Sequence, residues 1–349
     1  MSDFEARRAR LEALLESARS LADASTERGQ QARKRLIDSS GLSAPGVDFA
    51  LARCLETTPN EREIEALIRS TPSAQVAHVL LSANVFVAAH RAIAIGLAAS
   101  ENVRVRASRR EPEMAELLLA GAPSSFQLVN ELSPHSGDRL WAYGSDETLD
   151  EVAVTLPPGV AFHAHGSGFG ACVIDGGLSD SDLTELLPGL AEDVALFDQR
   201  GCLSPRVLLV NAGPEYARDV ARALAGELEK VEVRVPRGRI APEEAAEITK
   251  YRDTASYAGE VFAAGLGFVS AGKNETWLMP PSGRNIHVLP TSDAVYALSP
   301  LRPMITSCAF AGSEPAGQAL RRSLPGARFC KFGEMQRPPF DGPVDRREL

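Results

Sequence analysis

Phe197-Asp198-Gln199-Arg200-Gly201-Cys202-Leu203-Ser204-Pro205-Arg206 runs straight into the apolar stretch Val207-Leu208-Leu209-Val210. A cysteine set between glycine and small polar residues, just ahead of a β-rich run, leaves its sulfur approachable at the mouth of a strand. Arg200 and Arg206 flank it, and cations beside a thiol favour the thiolate, the form that attacks a carbonyl carbon. A lone cysteine is more often a buried spacer. The ten residues around this one argue for a nucleophile, and Cys202 is the expected catalytic residue.

Outward from that segment, short apolar runs alternate with helical patterns, as in a doubly wound parallel sheet. Strands are expected at Val76–Leu81, Val103–Val105, Leu140–Tyr143, Val160–Phe162, Ala171–Ile174 and Val207–Val210, with further strands at Val231–Val235, Trp277–Leu278 and Ile286–Leu289. Leu11, Leu14, Leu15, Ala18 and Leu21 recur at helical spacing, so residues 3–37 read as a surface helix packed by one stripe. Pro157-Pro158-Gly159 marks a domain change. The expected division is residues 1–160, with 311–349 returning to them, and residues 161–310 around the cysteine.

A net charge of −9, with no long basic stretch, argues against nucleic acid as a partner, because phosphate neutralisation needs a basic face. Five widely spaced cysteines, with no Cys-x-x-Cys or Cys/His cluster, argue against structural zinc and fit a reducing cytoplasm. No apolar run reaches the eighteen residues of a membrane span, and the charged stretch Met1–Ser20 does not read as a signal peptide. A soluble cytoplasmic protein is expected, with no metal site.

The cysteine segment resembles the nucleophile segment of the aldehyde dehydrogenase superfamily. It is most similar to the acyl-CoA reductase branch, the bioluminescence-type long-chain fatty-acyl-CoA reductases. Three stretches ahead of the cysteine extend the resemblance. Leu81-Ser82-Ala83-Asn84 leads through a helix to Asn102-Val103-Arg104-Val105-Arg106-Ala107-Ser108-Arg109. In the superfamily the asparagine amide and the cysteine backbone N–H form an oxyanion hole, here Asn84 and the amide of Cys202; alone, Asn84 also fits a turn or cap. The superfamily's basic residue after the next strand contacts the adenosine ribose. Arg106 stands there with Arg109 close behind, and arginine forks suit a phosphate, which favours NADPH while leaving NADH open. A solvated basic patch is the plain alternative.

Trp141-Ala142-Tyr143-Gly144-Ser145-Asp146 resembles the turn where Gly144 would admit the cofactor and Ser145 would touch its pyrophosphate. His163-Ala164-His165-Gly166-Ser167-Gly168 stands where most aldehyde dehydrogenases carry a general-base glutamate. His165 takes that place, which disfavours hydrolysis of an acyl-enzyme and leaves His165 as a proton carrier or a structural ring. Pro281-Ser282-Gly283-Arg284-Asn285-Ile286-His287-Val288 and Gly333-Glu334-Met335-Gln336-Arg337-Pro338-Pro339 resemble late motifs of the reductase branch. The superfamily's glutamate–phenylalanine motif after the cysteine is not recognisable.

The resemblance implies an α/β, aldehyde dehydrogenase-like fold: a Rossmann-like cofactor domain, a second α/β domain carrying the cysteine, and an active site between them. It implies NADPH-dependent reduction of an acyl thioester, an acyl-CoA of the fatty type, to the aldehyde through acyl-Cys202. Reduction of an acyl phosphate to a semialdehyde is the alternative chemistry, and a catalytically silent scaffold the alternative class. A homo-oligomer and an acyl-activating ligase that supplies substrate are the partners it suggests.

Overall fold

In the computed structural model, which describes residues 2–275 and 277–347, the chain divides into two compact units. Unit 1 comprises residues up to Ser167 together with Pro339–Val344; unit 2 comprises Gly168–Pro338 and the segment from Asp345.

Unit 1 begins with four helices, α1 (Asp3–Ala22), α2 (Glu27–Ser40), α3 (Ala44–Cys54) and α4 (Glu61–Ser70). It continues through β1 (Ala77–Leu80), α5 (Ala88–Ala99), β2 (Val103–Arg106), α6 (Glu113–Gly121), β3 (Gln127–Leu128), β4 (Arg139–Tyr143), α7 (Asp146–Thr155) and β5 (Ala161–His165). The sheet is parallel throughout, in the order β3-β2-β1-β4-β5. The apolar stripe of α1 is buried as its spacing predicts, with Leu11, Leu14, Ala18 and Leu21 all at 0% exposure. α5 is buried along nearly its whole length, and Gly96 lets it sit close on the sheet: a Cβ there would lie 2.9 Å from the Val103 side chain. On a second side, Leu140, Ala142 and Leu149 pack with Leu80, Val152 and Phe162 beneath α7. Residues 339–344 belong to this unit because Phe340 is buried in it. Its ring stacks on His90 at 5.5 Å, and Arg91, paired with Glu56, donates to the carbonyls of Pro339 (2.7 Å) and Gly342 (2.8 Å).

Unit 2 runs β6 (Phe169–Asp175), α8 (Asp180–Ala195), β7 (Pro205–Asn211), α9 (Pro214–Arg234), α10 (Pro242–Ala258), β8 (Gly259–Ala264), β9 (Gly267–Gly272), β10 (Asn285–Pro290), α11 (Ala294–Leu298), β11 (Ile305–Ala311), α12 (Glu314–Ser323) and β12 (Arg328–Cys330). Its seven strands lie in the order β12-β11-β6-β7-β10-β9-β8, parallel except for the edge strand β8. β6, β7 and β10 are buried on both faces, which explains the apolar runs of β6 and β7; β10 also buries two polar side chains, His287 hydrogen-bonded to the Ser270 hydroxyl at 2.8 Å and Asn285 accepting from the Phe268 amide at 3.1 Å. Ala171, Val173, Val207, Leu209 and Leu289 form one side of that core with Leu298 of α11 and Leu320 of α12.

The α/β architecture expected from the sequence is the one observed. Several elements differ. The N-terminal helix is two helices, because Asp23 ends α1 and Thr26 caps α2, accepting from the Gly29 amide. Val231–Val235 is not a strand: α9 continues through Arg234, and its buried Leu224, Leu228 and Val231 keep helical spacing. Trp277–Leu278 is irregular and packs as loop. The boundary between units falls at Ser167/Gly168. Residues 311–338, expected to return to the first unit, stay in the second, because β11 is an interior strand paired with β6 and β12.

Candidate active site

Cys202 lies in unit 2, on the loop between α8 and β7, and is half-buried. The loop enters through an unusual turn. Phe197, Asp198 and Gln199 are consecutive non-glycine residues in the left-handed region, with φ of 54°, 50° and 67°. L-residues avoid that region at a cost of about 1–2 kcal/mol each, so surrounding contacts must hold the turn in place.

Those contacts come from the two late motifs. Arg284 donates from Nε (3.0 Å) and Nη2 (2.8 Å) to one carboxylate oxygen of Asp198, and its Nη1 reaches Glu232 (2.8 Å) and the Val235 carbonyl (2.7 Å). The pair is buried, with Asp198 1% and Arg284 2% exposed. The Gly283 amide donates to the Asp198 carbonyl and the Gly238 amide to its carboxylate, each at 3.0 Å. Gln199 exchanges hydrogen bonds with Asn285, donating to its carbonyl (2.6 Å) and accepting from its amide (2.8 Å), and donates to the Pro205 carbonyl (2.6 Å). Thus Gly283-Arg284-Asn285 grips the residues before the cysteine.

The second late motif grips the residues after it. Gln336 donates to the Ser204 hydroxyl at 3.0 Å, with both side chains buried. Buried Asp193 of α8 anchors that motif by accepting from the amides of Gly333 (2.6 Å) and Met335 (3.1 Å). Burial pushes the Asp193 carboxyl up to about 8 against the pull of these N–H donors. Underneath, Gly170 of β6 is required by space: a Cβ would lie 2.5 Å from the Leu203 carbonyl oxygen and 2.8 Å from the Ser307 hydroxyl. Thr306 and Ser307 of β11 donate to the carbonyls of Cys202 and Leu203.

The electrostatics of the thiol differ from the sequence expectation. Burial, and after it the Asp345 carboxylate, push the Cys202 thiol up to about 11, against the opposing pull of Arg347 and the amides of Cys202 and Leu203. The flanking arginines are engaged elsewhere. Arg200 bonds the Arg239 carbonyl (2.8 Å) and Glu244 (3.2 Å), and Arg206 donates to the Pro280 carbonyl (2.9 Å). Their proximity in sequence is not proximity to the sulfur.

The remaining candidates lie in unit 1, at the carboxyl edge of its sheet. Asn84 follows β1, Arg106 ends β2 with Arg109 just beyond, Gly144 and Ser145 follow β4, and His165 ends β5. Strand order reverses between β1 and β4, so the loops bearing Asn84 and Gly144-Ser145 flank the switch point, where open α/β sheets bind nucleotides. Asn84 is exposed and its amide makes no hydrogen bond among the described residues. The guanidinium groups of Arg106 and Arg109 form no ion pair among the described residues. Ser145 caps α7, accepting from the Thr148 amide (3.3 Å). The two histidines are built into cross-strand stacks, His163 on Trp141 (5.0 Å) and His165 on Tyr143 (4.6 Å). Burial, then Arg139, lowers the pKa of His163.

Sequence reasoning did not find Asp193, Asp198, Gln199 and Arg284 as supports of the Cys202 loop, nor Asp345 and Arg347 as the charges acting on its thiol. A charged pair separated by 86 residues carries no local signal; the sequence showed only that the two late motifs were unusual.

The family model for acyl-CoA reductases (LuxC) matches residues 51–346. No curated protein matches the chain. Among solved structures the fold is similar to a NAD-dependent benzaldehyde dehydrogenase from Corynebacterium glutamicum (13% identity, TM-score 0.68, covering 95% of this chain and 82% of that one). An oxidoreductase from Marinobacter aquaeolei aligns with TM-score 0.71 at 11% identity, covering 96% and 79%. A succinic semialdehyde dehydrogenase from Streptococcus pyogenes, solved with NADP+, aligns with TM-score 0.66 at 10% identity, covering 93% and 81%.

Proposed function

Because the chain belongs to the acyl-CoA reductase family, and is thereby an oxidoreductase of acyl or aldehyde substrates, we propose that it reduces a fatty acyl thioester to the aldehyde with Cys202 as nucleophile. The observation that carries this reading is the left-handed turn at 197–199, held from both sides by buried side chains immediately before the only cysteine on that loop. Backbone strain of this kind persists where the surroundings over-determine it, and it clusters at sites of chemistry.

In this reading the Cys202 sulfur attacks the thioester carbonyl, the C–S bond to CoA breaks, and the cysteine proton leaves with the CoA thiol. The product is acyl-Cys202. Developing negative charge on the carbonyl oxygen would take hydrogen bonds from the Cys202 amide and from the side-chain amide of Asn84. A bound nicotinamide cofactor supplies the hydride that brings the acyl carbon to the aldehyde level. Collapse of the thiohemiacetal on Cys202 then releases aldehyde and restores the thiol. Arg106 and Arg109 would hold the 2′-phosphate of NADPH, Gly144 and Ser145 its pyrophosphate, and His165 would carry the proton to or from the site. With no glutamate in the place of His165, the acyl-enzyme is spared hydrolysis. The proposal extends to a homo-oligomer in the cytoplasm, fed by an acyl-activating ligase; no described helix is long and apolar enough to cross a membrane.

Intact-protein mass spectrometry with a panel of acyl-CoAs and acyl phosphates tests the reading. An adduct on Cys202 that disappears on adding NADPH, with aldehyde released, is expected, and Cys202→Ala should show none. Acylation of acyl phosphates alone would move the substrate class, and no adduct from any donor in folded protein would leave a silent scaffold.

A further inference from the structure

The C-terminal segment brings a buried ion pair to the nucleophile's surroundings. Arg347 clasps Asp345 with both ends of its guanidinium, Nε to Oδ1 at 2.9 Å and Nη2 to Oδ2 at 2.6 Å. The two side chains are only 5% and 4% exposed. Nη1 donates to the Pro303 carbonyl at 2.6 Å, which seats the guanidinium on the corner leading into β11. That corner also carries Thr306, whose hydroxyl holds the Cys202 carbonyl. Gly168 leaves the space both occupy: a Cβ there would lie 2.5 Å from the Thr306 methyl and 3.0 Å from the Arg347 Nη2.

An isolated buried pair between residues two apart does little for stability, since desolvation offsets most of the attraction. Its position suggests another role. The charged side chains acting on the Cys202 thiol are Asp345 and Arg347, with opposite sign. From β6 and β11 the packed groups are Gly170, Thr306 and Ser307, which carry no charge, and the nearby Asp193 is engaged with residues 333–336. Among the described residues, the pair supplies the charged side chains that act on Cys202.

We propose that the Asp345–Arg347 pair sets the reactivity of Cys202, with Arg347 as the cation that stabilises its thiolate and Asp345 as the partner that holds Arg347 and tempers it. Both are positioning residues. The inference rests on Cys202 being the nucleophile, and it gives the C-terminal segment a direct part in the chemistry. Burial keeps the resting thiol protonated and Asp345 adds to that effect, while a weaker grip on Arg347 leaves more of its charge to favour the thiolate.

The test is the rate of Cys202 alkylation by iodoacetamide as a function of pH, followed by peptide mass spectrometry on the full chain. No acyl substrate is involved, so failure of this inference is separable from failure of the proposed function. Arg347→Met should shift the profile upward and slow alkylation at pH 8 on the order of tenfold, one pKa unit. Asp345→Asn, nearly isosteric, should speed it several-fold, and Arg347→Lys should restore most of the parent rate. Rates within twofold of the parent in both charge-removing variants would overturn the inference. So would equal slowing in both, which marks a purely structural role, or a Lys variant as slow as the Met variant. Should Arg347→Met fail to fold, the several-fold faster alkylation expected of Asp345→Asn against a near-parent rate for Arg347→Lys still decides it, and an Asp345→Asn rate within twofold of the parent overturns the inference.

Discussion

Replacing Arg284 by methionine isolates what holds the nucleophile turn. The substitution keeps the length and apolar stem of the side chain and removes its hydrogen bonds to Asp198, Glu232 and the Val235 carbonyl. The carboxylate of Asp198, 1% exposed, is left with the Gly238 amide as its donor among the described residues. Removing one member of a buried, hydrogen-bonded ion pair costs about 3–5 kcal/mol, mostly because the other charge stays buried without compensation. For a unit of this size each kcal/mol lowers Tm by about 2–4 °C, so the expected loss is about 6–20 °C. The assay is thermal unfolding followed by tryptophan fluorescence in a Trp141→Phe background, where Trp277, packed against the core of unit 2, is the reporter. Asp198→Asn keeps an acceptor for Arg284 and should lose roughly half as much, as expected when a charge-assisted bond becomes a neutral one. With the pair gone, the left-handed residues 197–199 lose their main restraint, so acylation of Cys202 should slow along with the loss of stability. A Tm within about 3 °C of the parent, together with unchanged acylation, would refute the claim that this pair maintains the turn.

Gln336→Ala should cost about 1–2 kcal/mol in urea unfolding by removing the donor to buried Ser204, and it should slow acylation of Cys202 without weakening nucleotide binding in unit 1. Asp193 adds a pH dependence with a definite sign. Its carboxyl holds a proton up to about 8 in the folded chain but only to about 4 when unfolded, so between those values the unfolded state binds fewer protons and stability falls as pH rises. Asp193→Asn should flatten that slope between pH 5 and 8, and an unchanged slope would show that the amides of Gly333, Met335 and Gln336 keep the carboxyl ionised throughout. Arg106→Ala combined with Arg109→Ala should raise KM for NADPH at least tenfold while leaving that for NADH within about threefold, since a phosphate fork is worth more than a ribose contact; equal effects on both would remove the preference for NADPH. Asn84→Ala should lower kcat on the order of 100-fold with little change in acyl-CoA binding if its amide serves the oxyanion.

The sequence by itself determined the class of the fold and the family to which the chain belongs. Strands buried on both faces, such as β6 and the centre of β7, carry continuous apolar runs, and the stripe of α1 recurs at helical spacing. Such periodicities are local and therefore legible. The motifs at 197–206, 281–288 and 333–339 were legible too, as patterns without roles. Where local signals conflicted, the reading failed: Val231–Val235 has strand-like composition, yet α9 continues there because its buried face still packs. Charge placement was beyond the sequence altogether. Arg200 and Arg206 stand within four residues of Cys202 but point to Glu244 and the Pro280 carbonyl, while Asp345 and Arg347, more than 140 residues away, act on its thiol. Only tertiary structure decides which side chains share a volume, because hydrogen bonds and Coulomb attraction depend on distance in space and are indifferent to separation along the chain.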